Sequence, residues 1–286
     1  MASKSTKDKS KKSDINTFVT DLARAYGGAI LFSFPILMTM EMWWLGFYMN
    51  GGRLMLFTLL SLPLLIGLSY FDGFEDTFTL KDDVRETLIA YFVGFSTSAI
   101  LLLLFGVVKS GMSADEIIGK ISIQAVAAGL GAMFAQSLLG GGAGVDEHAE
   151  KRKRSTSYAG QIFLMVVGAI FLSMSVAPTE EVELISHQMT DWHAVGLILI
   201  TLIVMHAFVY AVEKRGDDKE ISPDTPEWSL FLRFTVVGYA IALLISFYIL
   251  WTFGSIDDMG FSEKLRVTIV LAFPASVGGS ASRLIL

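Results

Sequence analysis

The chain has 286 residues, of which 53% are hydrophobic and only 17% are charged, and its formal net charge is -6. Ordinary soluble domains carry about 25% charged residues, so this composition argues against a soluble protein and favours an integral membrane protein. The absence of cysteine excludes disulfides, thiolate catalysis and thiolate metal sites.

Apolar stretches near 20 residues recur along the chain, and about 20 residues are needed for a helix to cross the bilayer core. We place them at 26–48, 54–71, 87–108, 117–139, 160–182, 192–212, 230–253 and 265–286. The alternating segments of about 10 residues that are typical of membrane β-strands are absent from the sequence. The sequence therefore predicts an all-α, polytopic membrane helical bundle of about eight transmembrane helices.

Basic residues are concentrated in alternate connections, which predicts the orientation of the spans. They precede the first span and follow the second, fourth and sixth. We therefore expect a multi-pass protein of the bacterial inner membrane with both termini in the cytoplasm. Residues 1–19 read as a disordered basic cytoplasmic tail, and 140–157 as a Gly-rich and basic cytoplasmic linker. Nucleic acid is not an expected partner, since no nucleotide motif is present.

The two halves of the chain resemble each other. Residues Gly28–Glu41 align without a gap with Gly168–Glu181, and the final Glu is among the matching positions. Further matches follow in later spans, where Val93-Gly94-Phe95 parallels Val237-Gly238-Tyr239. We predict two parallel four-helix repeats, at 20–139 and 158–286, because an even number of spans inserts both halves the same way up.

Glu41 and Glu181 would occupy equivalent places in these repeats, in or near the hydrocarbon. An intramembrane carboxylate is costly and is a functional-site hypothesis by default. We predict an ion or proton site at the two glutamates, with Thr39 and Thr179 as hydroxyl ligands and Glu180 beside them. Paired acids in a low dielectric raise at least one pKa, which suits proton coupling. The alternative is that the carboxylates are hydrogen-bonded inside the bundle for packing.

Prolines interrupt several predicted spans. Pro35, Pro178 and Pro274 each remove a backbone donor and free a carbonyl. Broken helices are tolerated at membrane depth chiefly where protein or water satisfies the freed groups. We therefore predict helix breaks at these three positions.

Three further polar residues lie within predicted spans and are candidates for a proton relay or pathway. Histidine is the residue type most often used to carry protons near neutral pH, which makes His206 a candidate, and Ser276 and Ser280 accompany a cluster of small residues. For His206 a hydrogen-bonded packing role is the alternative. For the small residues, the alternative is close helix packing.

Phe34–Trp44, Ala177–Glu181 and the Gly278-Gly279 segment resemble a bacterial family of integral membrane proteins classed as a domain of unknown function. The resemblance covers roughly residues 20–286. It implies an integral inner-membrane protein and gives no activity.

The functional expectation is a cation or proton channel or transporter, with no cofactor and no metal site. Its expected partners are the lipid bilayer and a monovalent cation or proton, and a homo-oligomer stays open. One alternative is a membrane scaffold or sensor without transport activity. Another is an intramembrane hydrolase, because Ala177–Glu181 is similar to the paired-glutamate helix of eight-span proteases that process prenylated substrates. Those enzymes place an Arg where this chain has Ile185, so we do not expect an enzyme.

Overall fold

The computed structural model describes residues 2–71, 79–134, 157–215 and 226–285. Every regular element in these ranges is helical, which confirms the all-α prediction. In chain order the helices are α1 (Ala2–Leu37), α2 (Met40–Tyr48), α3 (Gly51–Phe71), α4 (Leu80–Leu104), α5 (Ala114–Met133), α6 (Tyr158–Val176), α7 (Glu180–Gln188), α8 (Asp191–Arg215), α9 (Glu227–Leu230), a π-helical segment (Phe231–Val236), α10 (Val237–Phe253) and α11 (Phe261–Ile285).

Seven helices of the described ranges are long and apolar enough to cross a membrane. The number is eight if α1 and α2 are counted together as one bent span. A polytopic helical bundle is therefore confirmed. The predicted linker 140–157 lies outside the described residues except for Ser157, whose hydroxyl accepts a hydrogen bond from the Gly160 amide and caps α6.

Helix α1 begins at Ala2, which corrects the prediction of a disordered tail over residues 1–19. Lysine is a good helix former, and extending an existing helix is much easier than nucleating a new one. The apolar part of α1 therefore provides the template on which the lysine-rich segment becomes helical.

The first and fifth predicted spans are each broken near their ends. Helix α1 turns by 84° into the nine-residue helix α2, and α6 is followed by the nine-residue helix α7. Thr39 and Thr179 have extended backbones at these breaks and stand at the N-caps of α2 and α7. The predicted spans 26–48 and 160–182 are therefore each divided between a long helix and a short one.

The break after α1 leaves carbonyl groups that the helix no longer satisfies, and side chains take them up. The Thr39 hydroxyl donates to the Pro35 carbonyl at 2.6 Å, and the Trp43 indole donates to the Leu37 carbonyl at 2.7 Å. A backbone carbonyl without a hydrogen bond costs free energy in the bilayer, because no water is present to donate one. These two bonds therefore stabilise the corner that directs α2 away from α1.

Helices α5 and α11 form the centre of the bundle. In the most apolar 18-residue stretch of each helix, the buried share is 78% in α5 and 67% in α11, but only 28% in α3 and 22% in α8. Helix α5 packs against α1, α2 and α4, whereas α11 packs against α6, α7, α8 and α10. The last span of each half is thus the one around which the other helices of that half assemble.

Glycines bring the backbones of the central helices into direct contact with the first helix of each half. A Cβ at Gly131 in α5 would lie 2.5 Å from the carbonyl oxygen of Gly28 in α1. A Cβ at Gly278 in α11 would come closer still to the carbonyl oxygen of Gly168 in α6. Each half thus contains a contact of the same kind, and Gly28 and Gly168 are aligned in the predicted repeat. The twofold relation between them stays a prediction.

Replacing Gly278 by alanine should destabilise the bundle, because backbone rather than a flexible side chain occupies the space of the new methyl group. Overpacking of this kind costs about 1–3 kcal/mol. The matched control is Gly196→Ala in α8, where nothing lies within 4 Å of the new Cβ. Thermal unfolding of the two purified variants in detergent measures the difference, and equal midpoints would contradict the tight contact.

Candidate cation site

A cavity of about 630 Å³ opens beside the two short helices that follow the broken spans. Its walls come from α2, the turn between α2 and α3, the corner between α6 and α7, and the end of α10 with the loop to α11. Both halves of the chain therefore contribute to one cavity. The bends at Thr39 and Thr179 are what bring α2 and α7 to it.

The cavity carries an excess of negative charge. Four carboxylates line it, from Glu41, Glu180, Glu183 and Asp257, against the single guanidinium of Arg53. Carboxylates that share a recess repel one another and attract cations, and a recess lined by one sign of charge concentrates counter-ions. The site is therefore suited to a cation and unsuited to an anion.

Arg53 is committed to Asp257. Its two terminal nitrogens donate to the two carboxylate oxygens at 2.8 and 2.9 Å, and one of them also donates to the Trp251 carbonyl at 2.7 Å. The guanidinium lies 4.8 Å from the centre of the Trp251 ring. A two-pronged pair of this kind is strong and geometrically specific. It ties the start of α3 to the α10–α11 loop. Among the described residues no second lysine or arginine lines the cavity, so Glu41, Glu180 and Glu183 have no such partner there.

The acid that faces the cavity beside Glu41 differs from the prediction. Glu181 is exposed and does not line the cavity, whereas Glu183, half-buried, does. Residues three apart share one face of a helix, so Glu180 and Glu183 point the same way and Glu181 points elsewhere. The predicted pairing of Glu41 with Glu181 is therefore replaced by Glu41 with Glu180 and Glu183.

Burial raises the pKa of Glu183 above its ordinary value of 4.5. His187 acts in the opposite direction, and the negative charge of Glu180 raises the pKa further. Tyr48 in α2 lies within electrostatic range of both Glu183 and Glu41, which places these two acids around one part of the cavity. Protonation of Glu183 is thereby coupled to the charge state of its neighbours.

The two threonines that were predicted as hydroxyl ligands, Thr39 and Thr179, donate hydrogen bonds to backbone carbonyls at the two helix corners. Thr179 lines the cavity and donates its hydroxyl hydrogen to the Val176 carbonyl at 2.9 Å. Thr39 does not line the cavity, because its hydroxyl is turned back to the Pro35 carbonyl. Only Thr179 keeps an oxygen beside the acids. Within the described residues, no three His, Asp or Glu side chains come close enough together to form a metal site.

Two of the three prolines that the sequence predicts as helix breaks lie near helix ends. Pro35 lies two residues before the end of α1, and Pro178 lies in the corner between α6 and α7. Pro274 does not break its helix, because α11 continues through it to Ile285. A proline removes one backbone bond, and neighbouring helices hold α11 straight enough to tolerate that loss.

His206 lies outside the acidic cavity. Its Nδ1 atom is 3.2 Å from the Thr235 hydroxyl, and its ring packs edge-on against Phe231. Both partners belong to the π-helical segment before α10. This arrangement favours the hydrogen-bonded packing role over a relay to the acids.

Buried polar groups lie in both central helices. Ser276 and Ser280 in α11 are 1% and 3% exposed, and their hydroxyls have no hydrogen-bond partner among the described residues. Gln124 in α5 is fully buried, and among the described residues its side-chain Nε2 and Oε1 atoms also have no hydrogen-bond partner. Sequence reasoning missed Gln124, although an amide in a span of small apolar residues was a detectable signal. It also missed Arg53 and Asp257 as a pair, because no spacing links residues so far apart.

In a comparison with known protein families, residues 21–286 match the family described as "Putative integral membrane protein (DUF2391)". The chain belongs to this family. The resemblance noted in the motifs around Glu41 and Glu181 is thus confirmed, and so is the assignment as an integral membrane protein. Searches of curated proteins and of solved structures gave no match. The family description names no activity, so function has to be argued from the cavity.

The raised pKa of Glu183 predicts a pH-dependent effect of neutralising it. The folded protein holds this proton more tightly than the unfolded chain, so the stability that protonation contributes is lost as pH rises through the raised pKa. Glu183→Gln should therefore unfold at a higher temperature than the wild type at neutral pH, and this advantage should vanish below about pH 4.5.

The control for this measurement is Glu181→Gln, which removes a charge from an exposed position of the same helix. It should not raise the unfolding temperature at any pH. Thermal unfolding in detergent from pH 4 to pH 8 gives the comparison, and a Glu183→Gln difference that does not change with pH would contradict the raised pKa.

Proposed function

We propose that this protein is a membrane channel or transporter for a monovalent cation or proton, and that the acidic cavity is its cation site. One observation carries the proposal: Glu41, Glu180 and Glu183 share a cavity in which the only guanidinium contributed by the described residues is already bound to Asp257. Cations are the ligands that relieve this repulsion. Glu183, whose pKa is raised, is the group at which a proton would compete with a cation.

The position of the cavity also supports transport. Glu41 and Glu183 lie on short helices that follow breaks in the first and fifth spans, and Glu180 begins the second of these helices. Discontinuous helices are a recurrent means of building ion sites in transporters, where helix ends and unwound backbone face the substrate. The present cavity takes acids from both halves, as a site between two repeats requires.

A path inward from the cavity would pass the central helices. Gln124 in α5 and Ser276 and Ser280 in α11 are buried polar groups without a partner in the described part of the chain. A buried polar group without a hydrogen bond is costly, and the cost is removed when water or a permeating ion reaches it. These residues are the candidates for a hydrated route. His206 is assigned a packing role beside Thr235.

The acids do not favour the hydrolase alternative. Ile185 stands where the hydrolase resemblance requires an Arg, and His206 is held by Thr235 away from the cavity. A glutamate needs an oriented partner to act as a catalytic base, and none of this kind lines the cavity within the described residues. We therefore propose a protein that is not an enzyme, and we treat a scaffold role as the outcome that remains if transport fails.

Reconstitution into liposomes tests the transport proposal. The wild type should carry a monovalent cation or protons in a pH-dependent manner when a panel of cations is screened. Glu41→Gln and Glu183→Gln should each lower the flux at least tenfold, because each removes a charge from the cavity while keeping the side-chain size.

Glu181→Gln is the matched control, because the same change is made on the same short helix as Glu183 but outside the cavity. It should retain wild-type flux. If all three variants, at equal reconstitution, match the wild type, the acids are structural. If the wild type carries none of the cations tested, the scaffold reading replaces the transport proposal.

We further propose that the cavity faces the outside of the cell, as the distribution of basic residues predicts. The absence of cysteine allows a direct test with single cysteines. Ser262→Cys, at the exposed start of α11 and five residues after Asp257 of the cavity wall, should react with a membrane-impermeant maleimide in intact cells. Ser155→Cys, in the basic linker, should react only after permeabilisation. The reverse pattern would contradict the orientation and would place the acidic cavity on the cytoplasmic side.

A further inference from the structure

A second cavity, of about 530 Å³, lies on another side of α2 and takes no part in the proposed cation site. Its walls are Trp43, Trp44 and Phe47 of α2, the loop that follows α4, and the first turns of α5. The two cavities share Trp44 alone. In contrast to the acidic cavity, this one is lined by aromatic rings together with two lysines and one glutamate.

Backbone contact between α2 and α5 fixes the shape of this second cavity. A Cβ at Gly46 would lie 2.5 Å from the Cα atom of Lys120, and a Cβ at Gly119 would collide with the Gly46 carbonyl. The loop above them turns at Gly106 and Gly111, whose φ angles of 69° and 100° favour glycine. The rings of α2 are thereby held against the start of α5.

The charges of this cavity do not cancel. Lys120 is buried and its ammonium donates to the Glu116 carboxylate at 2.6 Å, which makes a neutral pair. Lys109 is exposed and makes no ion pair with any described residue. Asp115 is nearby in sequence, but it is exposed and does not line the cavity. One uncompensated positive charge therefore remains beside the aromatic walls.

The surface around this charge is apolar. Phe105, in the cavity wall just after α4, is 42% exposed. Trp44 and Phe47 are exposed at the edge of the cavity. Tryptophan is enriched at the membrane–water interface. The cavity thus lies where a lipid headgroup and the upper part of its acyl chains would both find suitable partners.

We infer that this second cavity binds an anionic phospholipid of the surrounding bilayer. The headgroup phosphate would be held by the Lys109 ammonium, and the acyl chains would lie along Trp44, Phe47 and Phe105. A free anion would gain only one exposed lysine and would meet the Glu116 carboxylate. A phospholipid also covers the exposed apolar surface. We therefore favour a phospholipid over a free anion, because the site combines one positive charge with an apolar surface.

The inference distinguishes anionic from zwitterionic lipid. The headgroup of phosphatidylglycerol has a net negative charge, which Lys109 can balance, whereas that of phosphatidylcholine carries its own positive group. Each basic residue near an anionic membrane surface favours binding by about fivefold. We therefore expect preference for phosphatidylglycerol by about that factor, and we expect it to depend on Lys109.

Native mass spectrometry of the full-length protein, extracted from bilayers of equal parts phosphatidylglycerol and phosphatidylcholine, measures the retained lipid. Lys109→Gln should reduce retained phosphatidylglycerol about fivefold and leave phosphatidylcholine unchanged. Lys109→Arg should behave as the wild type. Lys264→Gln is the matched control, because Lys264 lies at the start of α11 and does not line the aromatic cavity, and it should also match the wild type.

The outcomes separate the alternatives. Equal phosphatidylglycerol retention by the wild type and Lys109→Gln would overturn the inference. Displacement of the lipid by millimolar inorganic phosphate would also overturn it, since that result indicates a free-anion site. Loss of both lipids in Lys109→Gln, with a lowered unfolding temperature, would mean that Lys109 is structural. None of these results depends on cation flux, so failure here leaves the transport proposal standing.

Discussion

The crossing of α2 over α5 is the contact on which both cavities depend. At Gly46 and Gly119 the two backbones meet without intervening side chains, so α2 cannot shift toward α5 and has little room to rotate. The acidic cavity lies beside one face of α2 and the aromatic cavity beside another. In a bilayer the hydrophobic effect contributes little to helix association. The van der Waals contact made by closely packed backbones therefore has to stabilise the α2–α5 pair.

The corners at the ends of α1 and α6 decide where α2 and α7 go. A straight helix would have carried Glu41 along the axis of the first span, and Glu180 and Glu183 along the axis of the fifth. Extended backbone at Thr39 and Thr179 turns both chains aside, and hydroxyl and indole donors satisfy the carbonyls at the breaks. The acids are thereby brought to one cavity from two separate parts of the sequence.

Electrostatics then set the character of each cavity. In the acidic cavity, the ion pair between Arg53 and Asp257 joins the two halves, and it neutralises the positive charge of Arg53. In the aromatic cavity, Glu116 neutralises the charge of Lys120, whereas the charge of Lys109 is not neutralised by an ion pair with a described residue. Two neighbouring cavities of opposite net charge therefore flank one nine-residue helix, and they are suited to ligands of opposite sign.

The sequence by itself determined the helical class, the approximate spans and the membrane setting, because hydropathy and length follow directly from the need to satisfy backbone groups in lipid. It also pointed to Glu41 and to Thr39 and Thr179, since a carboxylate or a repeated motif in an apolar run stands out. Only the tertiary structure decided which acid accompanies Glu41, because helix phase after the bend selects Glu183 over Glu181. It alone revealed the pairing of Arg53 with Asp257, since contacts between distant segments depend on how helices pack and leave no local pattern.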